Sequence, residues 1–355
     1  MSSLLLLLLI EDEEDEILER RHNLRSLRDN SDPMNLPSGT FKHHFRLPKE
    51  ACKLLIEDLM PKDDQATSLP FGVRFFCCLT FLAHGSYQKC VANNMYAALS
   101  QPSASRAIKY LVNLIVREKS SEVNFPTTNE EQLAIKTRFY TKFGLKGVIG
   151  AIDCTHVALI CPQKNDPSRP CSLYMNRKGY YSVNVEAVCD ENLRFLSVDA
   201  TFPGSCHDSG IWTTSNVRAF MSDQRGSLLI GDQGYPLEPW LITPLAEPAT
   251  PREEKFNKVH CKARNVIERG FGCVKSRFRC LAQHRTLHYS PETVTKIVNA
   301  CFILHNIMRK RWPCDEVEFE NYEVGEESIG SANATNSSLH REGERVRQQL
   351  INYLS

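Results

Sequence analysis

No Cys-x-x-Cys pair occurs in this chain, although 14 of its 355 residues are cysteine. That absence excludes zinc ribbons and thioredoxin-type redox centres, which need two thiols at that spacing. Cys77, Cys78, Cys189 and Cys301 lie in apolar runs instead, where a free thiol acts as a small hydrophobe. The pattern predicts reduced thiols and an intracellular protein. Nor is there an apolar run long enough to span a bilayer. Leu4–Ile10 is too short and passes straight into acids. It also lacks a positive leader and a small-residue cleavage site, so Leu4–Arg20 reads as a helix or a partner-binding segment, and no membrane role is expected. The histidines show no spacing that completes a His-Asp metal hydrolase. No heptad run argues for a coiled-coil dimer. The sequons at Asn333 and Asn336 carry no role in an intracellular protein.

Net charge is also scarce, at +1, but it is unevenly placed. Residues 1–20 hold seven acids and one base, and residues 315–330 hold seven acids and no Lys or Arg. Between Pro251 and Trp312 there are fourteen Lys plus Arg against four acids. A basic middle with acidic ends fits a protein that binds a polyanion. Plain surface solvation is the alternative for that stretch.

Three carboxylates stand in informative contexts. Asp153 follows the apolar run Gly147-Val148-Ile149-Gly150-Ala151-Ile152, and Asp232 follows Leu228-Leu229-Ile230-Gly231. Both runs read as buried strands. Glu268 sits in an amphipathic helix, Arg264-Asn265-Val266-Ile267-Glu268-Arg269. Two acids at strand ends and one on a helix can gather hard oxygen ligands around Mg²⁺ or Mn²⁺. Such sites can hold two ions about 3.5–4 Å apart, which suits phosphodiester chemistry. Each acid has a plainer reading: a turn or cap for the aspartates, and pairing with helix cations for Glu268.

Thirty-five residues separate Asp232 from Glu268. With the words around them, the acids match the Asp-Asp-Glu pattern of cut-and-paste transposases. The chain resembles the PIF/Harbinger transposase superfamily, and within it the harbinger transposase-derived nucleases of animals. Four blocks carry the resemblance: Gly150-Ala-Ile-Asp-Cys-Thr-His156, Gly204-Ser-Cys-His-Asp-Ser-Gly-Ile-Trp212, Gly231-Asp-Gln-Gly-Tyr-Pro236 and Arg264-Asn-Val-Ile-Glu-Arg-Gly-Phe-Gly-Cys-Val-Lys-Ser-Arg-Phe278. A looser block, Asn176–Asn184, lies between the first two. The match runs over about residues 70 to 310, in the family's order. It implies an α/β fold with an RNase H-like catalytic core, a mixed central sheet flanked by helices. It implies that Asp153, Asp232 and Glu268 form a catalytic triad, and it makes Asp208 an additional metal-ligand candidate. Gln233 and Glu186 depart from the usual pattern, Glu186 by adding a negative charge where an amide is commoner.

The chain divides, on this reading, into an acidic flexible arm (1–40), an α-helical, helix-turn-helix-like region (41–125), the nuclease domain (144–310) and an acidic, largely disordered tail (313–355) with a terminal helix over His340–Tyr353. Helices are expected over Phe41–Leu59, Phe71–His84, Tyr87–Leu99 and from Pro102 onward. Ser103, Arg106 and Lys109 would face DNA if the last of these is a reader helix; an ordinary three-helix packing unit is the alternative. A linker and short helix at 125–142 lead into the core. Core strands are expected at 147–153, 155–161, 181–188, 194–200 and 227–231, and helices at 208–221, 262–280 and 291–310.

In the 262–280 helix, Ile267, Phe271, Val274 and Phe278 form a buried stripe. Arg264, Glu268, Lys275 and Arg279 run beside it, so Glu268 aims at the sheet end between cations, and Arg264, Lys275 and Arg279 are candidates for DNA contact. Gly270 and Gly272 weaken such a helix by about 1 kcal/mol each relative to alanine. They make sense where a strand, metal site or DNA backbone comes close. Arg177 and Lys178, with Tyr180 and Tyr181, suit a loop that contacts phosphates and unpaired bases; a solvated turn is the alternative. His156 and His207 are read as groups that orient the carboxylates. His305-Asn306 is read as structural.

Two functions compete. One is a hydrolase acting on ester bonds, a metal-dependent DNA endonuclease in which water attacks phosphorus, or a DNA 3′-OH attacks for strand transfer. The other is a domesticated, catalytically silent DNA-binding or scaffold protein. The resemblance implies a Myb/SANT-like partner that supplies DNA targeting and nuclear entry, because Arg309-Lys310-Arg311 is a short basic run. The expected locations are therefore nucleus and cytoplasm. A homodimer is a further candidate assembly, since many transposases act as dimers.

Overall fold

A computed structural model describes residues 22–61, 69–92, 96–162, 170–224, 226–313 and 337–354, with positions 16, 18–20 and 94. The readings of Leu4–Ile10, the acidic stretch 315–330, Asn333 and Asn336 fall outside the described residues. The chain forms two compact units, residues 1–115 with 278–280, and residues 116–277 with 281–355. Among the described residues no helix is long and apolar enough to cross a membrane.

In the first unit, much of the expected arm is ordered. Residues 22–29 are helical, Pro33 is buried, and Lys49 Nζ donates to Met34 O at 2.8 Å. The span expected as one helix over Phe41–Leu59 is two, α1 (Ser38–Phe45) and α2 (Lys49–Leu59). Arg46 turns left-handed (φ 59°) and stops α1, and Pro48 sits at the N-cap of α2. The apolar α3 (Phe71–His84) ends at Gly85, with φ 61°. A Cβ there would lie 2.8 Å from the Cys280 Cα, so glycine is required on two counts. The helix expected over Tyr87–Leu99 shrinks to α4 (Gln88–Ala92), and α5 spans Gln101–Lys119. Phe41, Phe45, Phe75 and Phe76 fill the core, with the Phe45 and Phe76 rings 4.8 Å apart.

The second unit opens with α6 (Asn129–Phe143). Thr128 and Glu131 form a capping box at its start. Five strands follow: β1 (Val148–Ala158), β2 (Ser182–Cys189), β3 (Phe195–Pro203), β4 (Leu228–Ile230) and β5 (Leu241–Ile242). The sheet order is β3-β2-β1-β4-β5. The β1–β2 and β2–β3 pairs are antiparallel, whereas β1–β4 and β4–β5 are parallel. Short helices α7 (Cys171–Tyr174), α8 (Asp208–Thr214) and α9 (Asn216–Ser222) lie between strands. Three long ones follow: α10 (Pro251–Arg277), α11 (Pro291–Arg311) and α12 (Ser337–Tyr353). α10 packs on β1 and β2, α11 on β3, and α6 on β1. Every residue of β2 is buried, as expected for a strand covered on both faces. This is the mixed, helix-flanked sheet of an RNase H-like core.

Three local expectations need correction. The strands expected at 147–153 and 155–161 are one, because Cys154, Thr155 and Val157 suit a strand and no turn residue interrupts them. The 208–221 helix is two, broken at Ser215, whose extended backbone lets its Oγ cap Val217 N at 3.1 Å. The Glu268 helix begins at Pro251 rather than near residue 262. There Glu253 N donates to Thr250 Oγ1, and Glu253 Oε2 accepts from Ala249 N and Thr250 N.

Gly204 has no room for a side chain. An added Cβ would lie 2.3 Å from Ser182 Oγ and 2.6 Å from two backbone carbonyl oxygens, of Ser182 and Tyr174. Gly204→Ala should lower unfolding stability by about 1–3 kcal/mol. Gly210→Ala, in open space on α8, should be neutral or stabilising by up to about 1 kcal/mol. Chemical-denaturation midpoints of the two variants check this.

Candidate metal centre

Strand register brings the first two acids together. Ala151 of β1 pairs with Ile230 of β4. Asp153 and Asp232 each lie two residues further on, so they fall side by side. β4 ends at Ile230 while β1 continues to Ala158 along β2. Beyond Ala151, β1 therefore has no β4 partner on that edge, and the opening receives the acids. Asp153 lies within β1 rather than at its end; the strand that ends is β4. Past Ile230 the chain turns, and Asp232 Oδ1 accepts from Gly234 N at 2.9 Å.

Asp208 arrives from the other side as the first residue of α8. Asn184 Nδ2 donates to Asp208 Oδ1 at 3.3 Å and to Cys206 O at 3.0 Å. One carboxylate oxygen from each of Asp153, Asp208 and Asp232 lies within 4.8 Å of the others. Glu268 does not join that group among the described residues. It projects from α10, and its Oε1 accepts from Arg264 Nη2 at 2.5 Å. Arg264 Nη1 also donates to Asp153 Oδ2 at 3.3 Å.

The electrostatics follow from this crowding. Burial, then the charge of Asp232, raise Asp153 from the ordinary carboxylate value to about 8, against the pull of Arg264. On β2, opposite Cys154, burial raises Glu186 to about 7, with its Oε1 accepting from Ser215 Oγ at 2.6 Å. The acid that Glu186 introduces is thus buried, 2 % exposed, on the strand next to Asp153. The donor set is all oxygen and adjacent, with one guanidinium against four carboxylates, which fits a hard divalent cation.

The remaining candidates separate into groups. Arg177 and Lys178 are exposed, on a turn organised by Asn176 Oδ1, which accepts from Lys178 N and Tyr180 N. His156 does not touch the carboxylates. Its Nδ1 bonds Ser182 Oγ at 3.0 Å, and Ser182 accepts from Asn176 Nδ2. Burial and the nearby Lys275, Arg177 and Lys178 lower His156 to about 4. Lys275 is half-buried and donates to Thr155 Oγ1 at 2.7 Å and His156 O at 3.1 Å. Burial, then Lys178, lower it to about 8. His207 is exposed and makes no side-chain capping bond at the start of α8. Ser103, Arg106 and Lys109 lie on α5 in the first unit, where Ser103 bonds Ser100 Oγ and Arg106 and Lys109 are exposed. Arg279 also belongs to the first unit. A Cβ added at Gly270 would lie 3.0 Å from Phe195 and 3.2 Å from Cys189, the close strand approach expected there, whereas one at Gly272 would meet nothing within 4 Å. Asn184 and Ser215 escaped the sequence reading. Asn184 closes the looser block, which was its only signal.

The helix-flanked mixed sheet, with Asp153, Asp208 and Asp232 gathered at one edge, has the pattern of the DDE superfamily. The family described as DDE superfamily endonuclease matches residues 152–306, a span that contains all four acids. "Putative nuclease HARBI1" of Bos taurus is 34% identical over 324 residues, covering 86% of this chain and 88% of the relative. The human protein of that name is 32% identical with the same coverage. "Protein ALP1-like" of Arabidopsis thaliana is 25% identical, covering 76% of this chain and 70% of the relative. The chain belongs to the harbinger transposase-derived nuclease family. No solved structure matches it.

The pH response of the cation-free protein follows from Asp153. A carboxyl whose folded value exceeds its ordinary one binds protons better in the folded state. Stability should therefore fall as pH rises from about 4 to about 8. Asp153→Asn removes that contribution. In chelator at pH 8 the variant should melt about 2 °C or more above wild type, and the gap should close toward pH 5. A thermal melt at each pH checks it.

Proposed function

We propose that this chain is a divalent-metal-dependent DNA endonuclease that hydrolyses phosphodiester bonds. The observation that carries the reading is the convergence of Asp153, Asp208 and Asp232 within 4.8 Å at the open edge of β1. Asp153 and Asp232 are the primary carboxylates, Glu268 completes the triad, and Asp208 is an auxiliary ligand. Bound there, Mg²⁺ or Mn²⁺ supplies Lewis-acid stabilisation of the developing charge and activation of the attacking oxygen.

The chain's own residues do the rest. Asn184 holds Asp208 by a hydrogen bond to its Oδ1. Exposed Arg177 and Lys178 offer phosphate contacts beside the site. In the reaction, water oxygen joins phosphorus as the bond to the 3′-oxygen breaks. A DNA 3′-OH in place of water gives strand transfer. The helices α3 to α5, with Ser103, Arg106 and Lys109, serve DNA recognition. A Myb/SANT-like partner aids targeting and nuclear entry, so the protein works in the nucleus and also occurs in the cytoplasm; a homodimer is the candidate assembly on DNA.

Supercoiled plasmid should be nicked in the presence of Mg²⁺ or Mn²⁺ and left intact in chelator. Asp153→Asn and Glu268→Gln should each lower the nicking rate by about 10²–10³-fold, the scale expected when a group that stabilises transition-state charge is lost. Both should bind duplex DNA within a fewfold of wild type and keep the wild-type far-UV circular dichroism. Unchanged nicking in the variants places the chemistry elsewhere. No nicking by the wild type, with DNA binding and folding intact, favours the silent binding protein or a need for the partner.

A further inference from the structure

Arg264 touches two of the four candidate acids at once. Its Nη2 lies 2.5 Å from Glu268 Oε1, and its Nη1 lies 3.3 Å from Asp153 Oδ2. The guanidinium is nearly covered, at 12 % exposure. It stands one helical turn before Glu268 on α10, so a single planar fork bridges the helix acid and the sheet acid. Asp232 also lies within its field. Meanwhile Asp153, Asp208 and Asp232 cluster, and Glu268 stays with the arginine.

We propose that Arg264 is a positioning residue that acts as an exchangeable latch. It holds Glu268 away from the aspartate cluster until a DNA phosphate draws the guanidinium off, so that DNA and the divalent cation favour each other's binding. The proposal rests on the metal-dependent nuclease reading. Three physical points support it. A guanidinium fork fits carboxylate and phosphate oxygens alike, so it can exchange one for the other without changing its own geometry. A fixed positive charge on Asp153 opposes a second cation at the same oxygens. If DNA removes that opposition, linkage requires the cation to tighten DNA binding by the same factor.

The test is a Mn²⁺ titration of the full chain at fixed pH and low salt, reading free Mn²⁺ by electron paramagnetic resonance. It is run with and without saturating short duplex DNA. Wild type should bind Mn²⁺ about tenfold more tightly when DNA is present, within the usual range of coupling between two sites. Arg264→Gln should already bind Mn²⁺ about tenfold more tightly than wild type without DNA, and should gain less than about threefold from the duplex. Arg264→Lys keeps the charge without the fork and should fall between the two. It carries the test if circular dichroism shows Arg264→Gln unfolded. An Arg264→Gln variant with wild-type Mn²⁺ affinity, or with the full gain from DNA, overturns the latch while leaving the nuclease reading intact. Absence of any Mn²⁺ binding that Asp153→Asn weakens, with or without DNA, overturns both.

Discussion

Repulsion among carboxylates that the backbone forces together is what the second unit is arranged around. The parallel register of β1 and β4 sets Asp153 and Asp232 side by side, since each follows the Ala151–Ile230 pair by two residues. α8 then starts at Asp208, on the same opening. Buried like charges are unfavourable unless a proton or a cation relieves them. The chain supplies partial relief from α10, where one guanidinium reaches Asp153 and Glu268. In an enzyme this tension is useful. A site that is costly without its cation binds that cation well.

Buried polar contacts hold the frame against this strain. Ser215 ends α8, caps α9 and donates to the buried Glu186. Glu238 accepts from the Trp212 indole at 3.0 Å and pairs with Arg218 at 2.8 Å, which ties α8 and α9 to the turn before β5. Asn306 of α11 donates to Phe195 O and Glu122 O and accepts from Phe195 N. His305 bonds Leu193 O at 2.7 Å, which supports the structural role expected of that pair. These groups touch no reacting atom, yet they fix the segments on which the acids ride.

Much of this was legible in the sequence because local chemistry and fold agree there. Apolar runs before Asp153 and Asp232 gave the strands, and the stripe through Ile267, Phe271 and Val274 gave the buried face of α10. Asp153 looked like a strand end because a charge closes an apolar run. The polar residues after it remain in the strand because β2 pairs with them along their length, and pairing is a long-range property. The start of α10 was legible but overlooked: Thr250-Pro-Arg-Glu253 has the spacing of a capping box. The break at Ser215 depends on a buried glutamate 29 residues away, which no local window contains. The link of Arg264 to Asp153 spans 111 residues and is equally invisible to periodicity.

The terminal helix α12 changes what counts as the catalytic domain. Arg347 donates to the carbonyls of Thr243 and Pro244, just past the edge strand β5. Leu350 and Ile351 are buried, Gly343 lies against Glu238, and the Tyr353 hydroxyl meets that of Tyr140 on α6 at 2.8 Å. A boundary drawn at residue 310 by motif content would therefore cut away a wall of the fold. It would leave the Thr243 and Pro244 carbonyls bare and the edge strand β5 without the helix beside it, a surface that invites strand pairing between molecules. A recombinant fragment ending there would tend to aggregate, and an inactive preparation of it would report on that lost wall rather than on the acids.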